Sequence, residues 1–180
     1  RIPSLVGGTT SRDPRDSAFE PTRGTVAGIG VDFAGLAFGD SKFVRAAGNL
    51  AGFYTPWLNH VVSGRALAAY AVGWSSDPVP LFERYYLGGP NSLRGWKARQ
   101  ISPVDQSGTR VGGNIQVLGT IEYSIPLFFN IRMAFFYDVG QVYGPDTSFG
   151  TESDLGELRH DAGISLRWAS PFGPLRVDYG

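Results

Sequence analysis

Arg94 lies in the glycine-rich run Gly88-Gly89-Pro90-Asn91-Ser92-Leu93-Arg94-Gly95-Trp96. A guanidinium is always charged and can fork two carboxylates at once, which the point charge of a lysine cannot do. Gly88, Gly89 and Gly95 let the backbone around it turn tightly and approach a wall. Taken by itself, Arg94 reads more readily as a solvated surface arginine; only the flanking motif reverses that. The other reactive residue types offer less. Ser63 in VSGR and Ser92 in GPNSLRG do not match the G-x-S-x-G elbow of hydrolases. GGPNS has no Lys-Ser or Lys-Thr after it and is no phosphate loop. His60 and His160 are far apart, with no third ligand at metal spacing. With no cysteine there is neither a disulfide nor a thiolate site. These residues predict no enzyme and no cofactor.

The elements that must position it alternate with period two, the signature of strands with one apolar face. Between 113 and 125 the odd positions carry Ile115, Val117, Ile121, Tyr123 and Ile125. The even positions carry Asn114, Gln116, Leu118, Thr120, Glu122 and Ser124, an almost wholly polar face. Met133, Phe135, Tyr137, Val139 and Tyr143 likewise oppose Arg132, Ala134, Phe136, Asp138 and Gly140. Ala162, Ile164, Leu166 and Trp168 oppose Arg159, Asp161, Gly163, Ser165 and Arg167. Leu175, Val177 and Tyr179 oppose Arg176 and Asp178. Weaker alternation marks 4–11, 25–36, 43–55 and 61–74. About eight strands are expected: 4–11, 25–36, 43–55, 61–74, 112–126, 131–143, 158–170 and 174–180. Most are longer than the five or six residues usual in globular proteins, and they match the roughly 9–11 residues that cross a bilayer.

Short Pro-marked turns at 55–60, 125–130 and 170–174 alternate with long polar segments at 75–111 and 144–157, the layout of an outer-membrane barrel. The segments 36–42 and 12–24 are exceptions, short on the long-loop side and longer on the short-turn side. A soluble barrel or sandwich would alternate too. Against it, the apolar faces of the last four strands carry no charge, and so many aromatics would overfill a small interior. Trp57 and Trp74, at strand ends, read as interfacial belt residues. Charged residues are 18% of the chain, against about 25% in an average soluble domain. Lys and Arg balance Asp and Glu at 16 each, so no net field points to nucleic acid. No apolar run is long enough for a membrane helix. The opening RIPSLVGG has no initiating Met or signal peptide, and is expected to be a cloning or processing boundary.

The segment 81–103, LFERYYLGGPNSLRGWKARQISP, resembles loop 6 of the surface-antigen family of outer-membrane barrels, which includes BamA-like and TamA-like assembly factors and two-partner secretion transporters. Gly88, Gly89, Ser92, Leu93, Arg94, Gly95 and Trp96 match its Gly-Gly, small residue and VRGF-like tetrad. Leu93 stands for the usual Val and Trp96 for the usual Phe. SRDPRDSAFEPTRG (11–24), FYTPW (53–57), GGNIQVLGTIEYSIP (112–126), IRMAFFYDVGQVYG (131–144) and RHDAGISLRWASPFGPLRVDYG (159–180) resemble further family motifs in the family's order.

The resemblance implies an all-β, antiparallel transmembrane β-barrel. The eight strands would be the eighth to fifteenth of sixteen, the C-terminal half of the barrel with the terminal strand missing, and loop 6 would span about 75–111. It implies that loop 6 folds into the lumen and that Arg94 pairs with acidic residues of the two strands that follow, for which Glu122 and Asp138 are the candidates. Both carboxylates could instead serve Arg132, Arg159 or Arg167. The implied function is an outer-membrane insertase or translocase component working on unfolded outer-membrane or secreted proteins. Its implied partners are outer-membrane lipid and periplasmic accessory proteins. A two-partner secretion transporter and the barrel of a patatin-like phospholipase are the alternatives, which upstream domains would separate.

Overall fold

The described residues form an eight-stranded antiparallel sheet in which every strand pairs with its neighbour in sequence. The structure is a computed structural model, and it describes residues 5–18, 20–35, 42–74, 78–144 and 158–180. The strands are β1 (Leu5–Arg12), β2 (Gly24–Ala34), β3 (Phe43–Tyr54), β4 (Val61–Gly73), β5 (Ile115–Pro126), β6 (Ile131–Tyr143), β7 (Arg159–Ser170) and β8 (Gly173–Tyr179). Among the described residues the only helical turn is a 3₁₀ turn at Leu81–Glu83, and no helix is long and apolar enough to cross a membrane.

The register sorts side chains by parity into an outer and an inner face, because successive residues of a strand point to opposite sides. Leu50, Ala66, Gly119 and Val139 fall in one outer row, since Leu50 pairs with Ala66, Ala66 with Gly119 and Gly119 with Val139. Ile121, Phe135, Ile164, Leu166 and Trp168 are exposed on that face. Asp32, Arg45, Glu122, Asp138, Asp161, Arg167, Arg176 and Asp178 stand on the inner face. Outward apolar side chains and inward charge are the pattern of a wall between lipid and a polar lumen. The expected segments 144–157 and 36–42 lie outside the described residues except for Gly144 and Lys42, as do residue 4 and residues 75–77.

The inner face departs from the almost wholly polar reading where loop 6 covers it, at two clusters. Leu118 on β5 and Val142 on β6 are buried in a cluster with Leu87, Leu93 and Ile101 of loop 6. Ala34, Phe43 and Ala71 form a second cluster with Val79. Tyr85 packs against both. Loop 6 therefore has an apolar underside that covers apolar wall residues. Burying Leu87 and Leu93 is worth roughly 1.5–3 kcal/mol each. Gly140 makes the fit possible: a Cβ there would meet Leu87 Cδ1 and Leu93 Cδ1 at 3.0 Å and Val117 O at 2.7 Å. The β5 ladder starts at Ile115 rather than 112 because Gly113 is taken by the loop, exchanging two backbone hydrogen bonds with Tyr85 at 2.8 and 3.0 Å.

Candidate functional site

Loop 6 enters the lumen as a string of backbone turns. Gly88 and Gly89 take φ of 107° and 101°, which side chains with a Cβ rarely adopt. Gly88 N–H donates to Ser92 Oγ at 2.9 Å, and Gly89 N–H donates to Trp96 O at 2.8 Å and Leu93 O at 3.1 Å. These bonds close 88–96 into a compact knot. Leu93 is anchored in the apolar cluster, so Arg94, the next residue, is aimed at the wall.

The guanidinium of Arg94 meets both expected carboxylates. Nε donates to Asp138 Oδ2 and Nη2 to Asp138 Oδ1, each at 2.9 Å, a two-oxygen fork. Nη1 donates to Glu122 Oε2 at 3.0 Å. The Arg94 backbone N–H adds a longer bond to Asp138 Oδ2 at 3.3 Å. The side chains are 5% (Arg94), 7% (Glu122) and 0% (Asp138) exposed, so little water competes. An arginine buried to this degree needs such partners, because an unpaired buried charge is strongly destabilising. Phe136, on the inner face between Asp138 and Ala134, closes the pocket from one side with its ring 3.6 Å from Arg94 Cζ.

The alternative pairings resolve residue by residue. Glu122 Oε2 also accepts from Arg167 Nη2 at 2.6 Å, so it serves two arginines. Arg132 turns elsewhere, donating to Ser124 Oγ at 2.9 Å and Asn59 O at 2.8 Å. Arg159 lies by the Trp96 ring, 5.8 Å from its centre. Arg132, Arg167 and Arg176 stand directly opposite one another across β6, β7 and β8, a like-charge row that is repulsive in itself. Glu122 and Asp178 offset it, Asp178 lying 2.9 Å from Arg176 Nε.

The motif's other residues extend the contact to two more strands. Gly95 N–H donates to Asp161 Oδ2 at 2.5 Å, and Trp96 Nε1 donates to the His160 carbonyl at 3.3 Å, both on β7. A Cβ on Gly95 would collide with the Asp161 carboxylate, so a side chain there would push that carboxylate away from the Gly95 N–H. Arg176 on β8 donates to the Pro90 carbonyl.

A second attachment had no counterpart in the sequence reading. Arg45 on β3 donates through Nε and Nη2 to Asp32 Oδ2 on β2 at 3.1 and 2.9 Å, and through Nη1 to Glu83 Oε2 at 2.8 Å. Here the wall supplies the cation and loop 6 the carboxylate, the reverse of the Arg94 site. Tyr85, beside this cluster, has its phenol pushed up to about 12, chiefly by burial. A lone arginine in a weakly alternating strand and a glutamate beside Leu81 and Phe82 carry no pattern that joins them over 38 residues. The only available signal was that Asp32 and Arg45 fall on the same face of adjacent strands.

Among the described residues no group of three or more His, Cys, Asp or Glu could hold a metal ion. His60 and His160 each face a tyrosine hydroxyl, Tyr123 at 2.6 Å and Tyr137 at 2.5 Å.

With this geometry in hand, comparison with known proteins is specific. The chain is 34% identical over 183 residues to the outer membrane protein assembly factor BamA of Nitratidesulfovibrio vulgaris, covering 99% of this chain and 23% of that protein. It is 34% identical to the BamA of Neorickettsia risticii, covering 99% and 24%. A sorting and assembly machinery component 50 homolog of Bos taurus is 26% identical, over 86% of this chain and 36% of its own length. The chain thus spans only about a quarter of the bacterial relatives. Among solved structures, BamA from Haemophilus ducreyi lacking POTRA domains 1–3 superposes with a TM-score of 0.83 at 26% identity, over 97% of this chain and 38% of that one. The family model of the Omp85 superfamily domain matches residues 2–180, and with its lumen-folded loop and antiparallel wall the chain belongs to the Omp85 superfamily.

Proposed function

We propose that residues 1–180 are the C-terminal part of the barrel of an outer-membrane protein assembly factor, and that loop 6 is latched to its lumen wall by Arg94. The observation that carries this reading is the Arg94 fork to Asp138 with a third bond to Glu122, which buries the guanidinium against β5 and β6. The names of the relatives at 34% identity favour assembly over secretion or a lipase-linked barrel.

In this reading the chain is no enzyme. Its work is mechanical: strands present a lipid face, loop 6 holds the lumen wall in one conformation, and incoming strands of an unfolded client add to an exposed sheet edge elsewhere in the barrel. The partners are outer-membrane lipid, unfolded outer-membrane proteins and accessory proteins on the periplasmic side. The test is reconstitution of the full-length protein in liposomes with an unfolded outer-membrane client. Assembly of the client that falls sharply in Arg94→Ala, while the barrel still folds, supports the reading. Wild-type protein that exports a soluble client and never accelerates barrel insertion would overturn it in favour of the secretion transporter.

A further inference from the structure

Three turns at one end of the sheet join β3 to β4, β5 to β6 and β7 to β8, and their tips are apolar. Leu58 is 80% and Phe129 84% exposed, Phe172 is fully exposed, Trp57 and Phe128 are more than half exposed, and Leu127 is nearly so. No charged residue occurs in 55–60, 126–130 or 170–173. The first two turns share one backbone design: Leu58 and Asn59 have φ of 46° and 60°, Phe129 and Asn130 φ of 48° and 59°. Two successive left-handed residues close a tight hairpin, and its first position normally takes Asn, Asp or Gly. A bulky apolar residue there is sterically disfavoured. Leu58 and Phe129 accept that conformation while packing little on the protein, so what they gain must come from outside it.

We propose that these three turns rest in the headgroup layer of the bilayer and seat this end of the barrel in the membrane. The apolar tips continue the outward face without a break: Tyr54, Trp168 and Leu175 are exposed beside them, and that face is the lipid side of the wall. The mixed aromatic cluster just above them has interfacial character. His60 Nδ1 lies 2.6 Å from the Tyr123 hydroxyl, and the His60 ring centre is 6.3 Å from that of Trp57. Rings with one polar handle collect at the membrane–water boundary. The side-chain amides of Asn59 and Asn130 need hydrogen-bond partners, which places them at headgroup depth and not in hydrocarbon. The fourth turn at this end, 13–23, differs in kind: Asp13 pairs with Arg15, and Asp16 accepts from Thr22 and Arg23, so it satisfies itself in water. The inference rests on the barrel spanning a membrane and not on the assembly activity.

The experiment uses full-length protein, otherwise without cysteine, with one Cys at position 58, 129, 172 or 17 carrying an environment-sensitive fluorophore. The protein is reconstituted in phosphatidylethanolamine–phosphatidylglycerol vesicles containing lipid nitroxides at the headgroup or deep in the acyl chain. Labels at 58, 129 and 172 are expected to emit blue-shifted light and to lose most intensity to the headgroup nitroxide, while the label at 17 stays water-like. Water-like emission at 58 and 129 would overturn the proposal. So would a blue shift that neither nitroxide quenches, which would mean a protein surface covers the turns, or strongest quenching by the deep nitroxide. If one label blocks insertion, the other two turns still decide the matter.

Discussion

The Arg94 guanidinium lies over the face of Phe136, 3.6 Å from ring centre to Cζ, while its nitrogens reach Asp138 and Glu122 in other directions. Each part of the group is used: the π face for the ring, the edges for the carboxylates. Arg94→Ala leaves both carboxylates stranded and should lower barrel stability by about 3–5 kcal/mol, the usual cost of breaking a buried ion pair. Arg94→Lys should recover only part, since an ammonium replaces neither fork nor flat stack. Phe136→Leu should cost about 0.5–2 kcal/mol by removing the ring face. Unfolding of the full-length protein in lipid or micelles, measured against denaturant, orders the three; a Lys variant equal to wild type would show that the fork does not matter.

Glu83→Gln removes the loop's charge from the Arg45–Asp32 cluster and leaves the Arg94 latch intact. A cysteine placed at Val79, buried under the root of loop 6, should then react with a thiol reagent, whereas a cysteine at Leu93 should stay protected. Arg94→Ala should reverse that pattern. Equal protection at both sites in Glu83→Gln would show that the root is held by its apolar cluster alone.

On β5 the two faces should answer differently to the same substitution. Ile121→Arg puts a charge on the lipid side and should destabilise by about 2–4 kcal/mol if it lies at the bilayer midplane. Thr120→Arg, one residue away on the inner face, should be much milder. Folding yields into lipid vesicles compare them, and equal damage would speak against the outward face as the lipid face.

The two ends of the sheet should lie on opposite sides of the membrane. Cysteines replacing Gly108, in loop 6, and Asn130, in a short turn, should label oppositely with an impermeant thiol reagent on intact cells, 108 reacting and 130 not. Labelling at 130 alone would invert the topology.

The Asp16 carboxyl is held down at about 2 by hydrogen bonds, first from the Thr22 hydroxyl and then from the backbone of Arg23 and Thr22. A depressed folded-state pKa gives the 13–23 turn support that is full above the unfolded value near 4 and lost as pH falls through about 2. Protection of the Thr22 and Arg23 amides against hydrogen exchange, relative to their intrinsic rates, should fall over that acidic window in wild type, and should already be weak at neutral pH in Asp16→Asn.

Strand positions were legible because parity is local: Ile121 and Glu122 differ in face whatever lies around them. The Arg94 partners were legible because resemblance gave the pairing and parity gave the side. Leu118 was misleading for the same reason that the rest was readable. An apolar residue on a polar face announces a cover only when the cover is known, and Leu87 and Leu93 lie 31 and 25 residues before it in a loop without period. The Arg45–Glu83 pair and the Gly95–Asp161 hydrogen bond were hidden likewise, since each depends on where a long loop comes to rest.

Loop 6 is fastened to β3 through Glu83 and to β6 through Arg94, so it runs as a chord beneath an arc of wall. Twisted sheets set their own curvature only loosely, through strand tilt and stagger. A chord of fixed length sets it firmly. Freeing either end would let the arc between β3 and β6 flatten and widen the bore with every ladder hydrogen bond still in place. The loop that plugs the lumen would thereby govern the girth of the cylinder around it.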